Sequence, residues 1–350
     1  MTRVIRSLHQ ALSAMPEVEF YYVSCEESGE DADVAWISPQ RLFRFNLMSA
    51  NLGELLREWI RFNRWAKGMN FDVIHSHHRR LSMLLKLSPA LRSIRHIYTA
   101  HLVYPFSLPF YLLAPEISCA IGPSVLQNLK DTTRSRVKTF VGNPFAFASH
   151  PATSRSAAPD KVPNAICVAR FEPVKGHSFL LDAWGRMWAS GVRARLLLVG
   201  EGSLEEQLRR QVASLGLDSS VEFCGYRSDA ISLMAFCDFN ILVSSIEGLP
   251  NVVIEAATAR VPTLVTDVPG SRDCVPPNAA LPNLVPFGNV EALVRALCAW
   301  TQSTAQLRQE EGMRFFCHLE KVYDAATVAK RYLRAYSASL DELALRQDSL

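Results

Sequence analysis

The chain has 350 residues, 37 basic and 34 acidic, for a net charge of +3. Apolar residues make up 49% and charged residues 20%, enough to build buried cores and to exclude intrinsic disorder as a description of the whole. The length fits two domains, and the near balance of charge argues against a general nucleic-acid binder. The balance is uneven, however: between Arg41 and Arg95, eleven basic residues face three acidic ones.

Eight cysteines (Cys25, Cys119, Cys167, Cys224, Cys237, Cys274, Cys298 and Cys317) lie far apart, with no CxxC pair. Scattered thiols, several inside apolar runs, fit a reducing compartment better than a disulfide framework or a zinc site. Met1-Thr2-Arg3-Val4-Ile5-Arg6 lacks the apolar core of a signal peptide. The most apolar stretch, Leu102 to Ile121, is broken by Pro105, Pro109, Pro115 and Glu116, so no membrane span is expected. These features predict a cytoplasmic protein.

Short β-rich runs alternate with stretches of helical period, the pattern of a parallel α/β sheet. In the first half, Val4 to Leu12 reads as a helix and Phe20 to Val23 as a strand. The stretch from Leu52 to Trp65 reads as an amphipathic helix, with Leu52, Leu55, Leu56, Trp59 and Phe62 inward and Arg57, Arg61 and Arg64 outward. Strands are expected at Val73–His75, Ile97–Thr99, Cys119–Ile121 and Lys138–Val141, with helices between. From Phe145 to Pro163 the composition turns to Ala, Ser, Pro and Thr without apolar period, which marks a linker. Beyond it come strands at Ala165–Ala169, Arg195–Val199, Val221–Phe223, Phe239–Val243 and Thr263–Thr266. Helices are expected at Phe179–Trp188, Leu204–Leu215, Ala230–Ala235, Asn251–Ala259 and Val290–Trp300, and a last helical pattern runs from Ala325 to Leu343. The expected architecture is two consecutive α/β domains with a cleft between them.

Neither GxGxxG, GxxxxGK[ST] nor HExxH occurs, which weakens NAD-enzyme, P-loop and zinc-protease readings. Gly200-Glu201-Gly202 reads as a tight turn at a strand end. The informative segment runs from Ser244 to Ala256 and includes Glu247-Gly248-Leu249-Pro250-Asn251 and Glu255. A strand ends, a glycine permits a turn, and Pro250 suits a first helical position. The helix start offers free N–H groups and a positive dipole end for a phosphate. Glu247 and Glu255 flank this turn, either as ligand-facing carboxylates or as a cap and a surface charge. A second segment, Val168 to His177, also leaves a strand end, the edge where open α/β sheets bind ligands. Its Arg170 and Lys175 are two cations suited to a diphosphate, or else solvated surface charge. In His75-Ser76-His77-His78 no Cys or carboxylate cluster accompanies the histidines, which disfavours zinc; His77 either lines the cleft at a strand end or packs in the core.

The two segments resemble the Arg-x4-Lys-Gly and Glu-x7-Glu signatures of the family 4 retaining glycosyltransferases (glycosyl transferases group 1). Phe71 to His77, Tyr98-Thr99-Ala100-His101 and Val141-Gly142-Asn143-Pro144 resemble further motifs of that family, so the likeness covers most of the chain. It implies the GT-B fold, two Rossmann-like doubly wound domains facing a central cleft. Residues 1–150 would be the acceptor-side domain and 151–325 the nucleotide-sugar donor domain. Residues 326–350 would form a C-terminal helix packing back towards the first domain. It implies a hexosyltransferase that moves a sugar, without a metal or other cofactor, from a nucleoside diphosphate to a carbohydrate or lipid-linked acceptor in polysaccharide or glycolipid assembly.

Carried over by residue, the resemblance gives Arg170 and Lys175 the donor diphosphate and Glu255 the ribose hydroxyls. The backbone of Gly248, Leu249, Pro250 and Asn251 would cradle sugar and phosphate, and Glu247 and His101 would be the catalytic pair at the donor sugar. Two other functions share this domain pair: a non-catalytic donor-binding subunit and a sugar-nucleotide epimerase. The family's opening strand and Gly-Gly loop are not found before Thr2, so either a longer natural chain or a silent relative that keeps only the donor domain intact is expected. The family's Asn-Gly turn is replaced by the Pro-rich stretch from Val275 to Pro286, an altered donor-side loop. Finally, the basic excess around Arg57, Arg61 and Arg64, with the apolar stretch Tyr104–Leu113, predicts peripheral binding to an anionic membrane on its inner face.

Overall fold

Parallel strands alternate with helices in both halves of the chain, as the switching apolar period requires. The computed structural model describes residues 2–13, 18–24, 36–44, 51–147 and 162–344. Contacts divide the chain into one unit of Met1–Ile121, Leu126–Pro144 and Ala325–Leu350 and another of Gly122–Val125 and Phe145–Asp324. Most of the expected linker lies outside the described residues. Phe145 itself is bridged to Asp324, and its N–H donates to the Tyr323 carbonyl at 3.0 Å.

The first unit opens with α1 (Thr2–Ser13), which buries Val4, Leu8 and Leu12 at four-residue spacing. Next, β1 (Tyr22–Ser24) pairs in parallel with β2 (Leu42–Arg44), a strand that the sequence pattern did not reveal. Then comes α2 (Leu52–Met69), capped by Asn51, whose side chain accepts from the Gly53 N–H at 2.9 Å and closed by Asn70 at φ 51°. Its inner face is Phe62 and Ala66, flanked by Trp59 and Trp65. Leu56 does not point inward as expected: it is 59% exposed, and Ile60 is 43% exposed. The strands β3 (Val73–Ser76), β4 (Arg95–Ala100), β5 (Ile117–Ala120) and β6 (Val137–Phe140) form a parallel sheet in that order. Between them run α3 (Arg79–Leu87), α4 (Leu108–Leu113) and α5 (Pro123–Thr132).

The second unit has a six-stranded parallel sheet of order β12-β11-β10-β7-β8-β9. Its strands are β7 (Asn164–Val168), β8 (Arg195–Val199), β9 (Val221–Phe223), β10 (Phe239–Leu242), β11 (Thr263–Thr266) and β12 (Leu284–Val285). The helices are α6 (His177–Ala189), α7 (Glu205–Ser214), α8 (Ala230–Met234), α9 (Asn251–Thr258), α10 (Pro269–Arg272), α11 (Val290–Gln302) and α12 (Ala305–Tyr323). The Pro-rich stretch from Val275 to Pro286 is partly built into the sheet: β12 pairs with β11, and Leu281 and Val285 are buried. Trp184, Trp300 and Phe239 centre the core, with the Trp300 and Phe239 rings stacked at 5.5 Å. The Trp300 Nε1–H is satisfied by the Pro282 carbonyl at 3.0 Å.

The chain then returns to the first unit as α13 (Ala325–Ser337) and α14 (Leu340–Ala344). Val328, Ala329, Tyr332 and Ala335 of α13 share one buried cluster with Leu8, Leu12, Ile97, Ile117 and Cys119.

Candidate functional site

In the second unit the sheet order doubles back at β7: its neighbours are β10 on one side and β8 on the other. The crevice beyond the carboxyl ends at such a reversal is where open α/β sheets hold ligands. The two segments singled out by sequence leave these strands. Arg170 and Lys175 follow β7, and Glu247 to Asn251 follow β10 and lead into α9.

The loops are fastened together. The Ser245 N–H donates to the Val174 carbonyl at 2.8 Å. Gly176, at φ 69°, lies so close to β10 that a Cβ there would stand 2.2 Å from the Val243 carbonyl oxygen. Both conformation and space demand glycine. Lys175, delivered by the 3₁₀ turn Pro173–Lys175, pairs with Glu247 at Nζ···Oε1 2.6 Å. Only 22% of the lysine side chain and 9% of the glutamate side chain meet solvent.

The Glu247 loop is also held from below. A Cβ on Gly270 of α10 would stand 2.3 Å from the Gly248 carbonyl oxygen. Gly248, Leu249 and Pro250 are buried, and Pro250 is the N-cap of α9, one position earlier than its expected first helical place. Glu255 lies one turn into α9 and is half-buried. Arg170 is exposed, and among the described residues its guanidinium has no partner. The turn at Gly200-Glu201-Gly202 does more than close a strand end. Phe171 N–H donates to the Glu201 carbonyl at 2.9 Å, and Leu204 N–H donates to the Phe171 carbonyl at 3.0 Å, so this turn braces the loop carrying Arg170. Sequence reasoning missed this brace, for which the paired glycines were the available signal. It also missed His177, which is buried edge-on against Phe171 and held neutral: burial, then Lys175, pushes its pKa down to about 4.

His101, the remaining expected site residue, belongs to the first unit, just beyond β4. It does not stand alone. His77, just beyond β3, meets it at Nδ1···Nε2 2.9 Å. The His75 ring lies 4.1 Å from that of His77 and is itself held by the Tyr336 hydroxyl at 2.8 Å and Thr99 Oγ1 at 2.7 Å. Burial pushes the pKa of His75 down to about 3 and that of His101 to about 4, and that of His77 well below the usual range. The cluster is neutral at physiological pH. His78 is exposed at the start of α3. Among the described residues no group of three or more His, Cys, Asp or Glu is arranged to hold a metal ion.

Two family models match successive parts of the chain: Glycosyltransferase Family 4 over residues 1–128 and Glycosyl transferases group 1 over residues 162–303. The chain belongs to the family 4, group 1 glycosyltransferases. The likeness of this family 4 chain to solved structures extends through both units. The crystal structure of Anabaena HepE in complex with UDP superposes with a TM-score of 0.80 at 17% identity, covering 97% of this chain and 96% of that one. This likeness establishes the GT-B fold. A relative in Campylobacter jejuni is N-acetylgalactosamine-N,N'-diacetylbacillosaminyl-diphospho-undecaprenol 4-alpha-N-acetylgalactosaminyltransferase. It is 23% identical over 265 residues, 72% of this chain and 69% of that one. EpsF of Bacillus subtilis is 35% identical over 100 residues, a match that spans 26% of its length.

Proposed function

We propose that this family 4 chain is a retaining glycosyltransferase that moves a hexose from a nucleoside diphosphate donor to a carbohydrate or lipid-linked acceptor in polysaccharide or glycolipid assembly. The observation that carries the reading is the Lys175–Glu247 pair, fastened at the sheet reversal beside the start of α9. A lysine ammonium has three donors, so Lys175 can keep Glu247 and still reach a phosphate oxygen. Arg170, exposed and without a partner among the described residues, supplies a second cation, and the α9 N-terminus adds its positive dipole end. Such groups stabilise the negative charge that builds up on a departing nucleotide, which is already a good leaving group. Glu247, held from below by α10, serves the donor sugar and Glu255 the ribose, while His101 keeps the role that the family resemblance gives it. HepE has been solved with UDP-glucose, which supports a uridine nucleotide sugar as the first donor to try. The name of the Campylobacter relative supports a diphosphate-linked lipid acceptor.

We also propose a peripheral, cytoplasmic-face membrane location for the first unit. No described helix is long and apolar enough to cross a membrane. The outer face of α2 instead offers Leu56 and Ile60 among Arg57, Arg61 and Arg64, and the chain around α4 exposes Phe106, Leu108 and Leu112. Apolar side chains ringed by cations suit the headgroup region of an anionic leaflet.

Calorimetry across common nucleotide sugars, followed by product analysis with candidate acceptors, tests the activity. Acceptor-dependent release of nucleotide with the donor's anomeric configuration retained is expected. Donor binding without any turnover would leave a donor-binding subunit.

A further inference from the structure

The strands β3 and β4 run parallel with Ser76 opposite Tyr98, so His77 and His101 leave the sheet at the same edge. Their rings meet through His77 Nδ1 and His101 Nε2 at 2.9 Å. A bond between two imidazoles needs a proton on one facing nitrogen and a lone pair on the other. His75 is not free to compete for either ring. Its Nδ1 is taken by the Tyr336 hydroxyl and its Nε2 by Thr99 Oγ1, and its face lies 4.1 Å from His77. Among the described residues, His77 Nε2 and His101 Nδ1 carry no hydrogen bond.

We propose that His77 is a positioning residue for His101: His101 Nε2–H donates to His77 Nδ1, which orients the His101 ring and leaves its Nδ1 lone pair to accept from a hydroxyl of the donor sugar. This polarity lets both rings adopt the Nε2–H tautomer that a free neutral imidazole favours, with the hydrogen bond fixing the choice. The low pKa values of both rings agree with a pair that is neutral while it works. A sugar hydroxyl needs an acceptor, and a cationic His101 could not provide one. The inference rests on the assignment of His101 to the donor sugar.

Side-chain ¹⁵N–¹H NMR at neutral pH, alongside UDP release from UDP-glucose, tests the two separately. In the parent protein His101 should carry its proton on Nε2, shifted downfield and slow to exchange. His77→Leu should move that resonance upfield, speed its exchange and lower kcat about tenfold with little change in KM, the scale of one lost hydrogen bond. His77→Asn, with an amide where Nδ1 stood, should restore both. His77→Gln places its amide at the Nε2 position and should behave like leucine while remaining polar. An unaltered His101 resonance in both His77→Leu and His77→Gln, or a parent His101 protonated at Nδ1, would overturn the proposal. A displaced resonance with unchanged kcat would uphold the contact and remove His101 from the donor sugar.

Discussion

Replacing Lys175 by methionine keeps most of the side chain's stem and removes its charge. The partner left behind is Glu247, whose side chain is 9% exposed and whose carboxylate oxygen lies 2.6 Å from Nζ. Breaking a fully buried ion pair costs about 3–5 kcal/mol, chiefly because the remaining charge is stranded. Lys175 keeps 22% of its side chain in water, so screening trims the loss. An expected cost of about 2–3 kcal/mol follows. Urea denaturation of the single and double variants measures it. Lys175→Met with Glu247→Gln should be more stable than Lys175→Met alone, because the stranded charge is gone. Donor binding reports the second role of the same ammonium. Losing one charge-assisted bond to the diphosphate should weaken it about 10–100-fold by calorimetry. Glu247→Gln alone should leave donor affinity equal or tighter, since Lys175 is released to the phosphate. If Lys175→Met is neutral to stability and the double variant is no better, the ion pair is not a structural element. If donor affinity is also unchanged, the pocket is misassigned.

Other outcomes follow from the same geometry. Glu255→Ala should weaken donor binding, whereas His101→Ala should chiefly lower kcat, which steady-state kinetics and calorimetry separate. Gly176→Ala places a Cβ 2.2 Å from the Val243 carbonyl oxygen at φ 69°, so thermal denaturation should show a loss of about 2 kcal/mol or more and a weaker donor site. Burial lowers the folded pKa of His75, His96, His101 and His177 to between about 3 and about 4, below the unfolded value of 6.5. The unfolded chain therefore binds more protons as pH falls below 6.5. Stability, full above that value, should decline progressively towards pH 4, each such histidine contributing roughly 1.4 kcal/mol per pH unit. Denaturation midpoints equal at pH 7 and pH 5 would contradict this. Sedimentation with anionic vesicles should be strong at low salt, weak at high salt, and lost when Arg57, Arg61 and Arg64 are reversed in charge; equal pelleting of both proteins would exclude that surface.

The strand-end places of the loops proposed to hold the donor were legible because each charged group there is adjacent in sequence to the strand that places it: Arg170 and Lys175 after β7, Glu247 after β10. Helix α12 was not legible. Its inner face carries Arg308, Glu311 and Gly312, all buried, so the apolar period that announces a helix is interrupted by polar groups. Their partners come from distant segments: Glu311 accepts from the Ala280 N–H and the Asn283 amide, and Arg308 pairs with Asp238 at 3.5 Å. Strands β2 and β12 are too short for a period to appear. Leu56 misled in the opposite sense, because an apolar residue on a helix reads as core whether it faces protein or solvent. The contact between His77 and His101 spans 24 positions and depends on the register of two strands, which no local spacing encodes.

The return of α13 to the first unit sets an order on synthesis. Tyr332, Val328 and Ala329 complete the cluster that covers Ile97, Ile117 and Cys119, yet they leave the ribosome more than two hundred residues after those strands. The second unit, continuous from Phe145 to Asp324 apart from one four-residue segment, has all its strands in hand before α13 is made. On the growing chain, the half synthesised first is therefore the half that finishes last, its strands covered by α1 but not yet by α13. Such a nascent chain exposes apolar surface of its first unit for the time needed to translate the second.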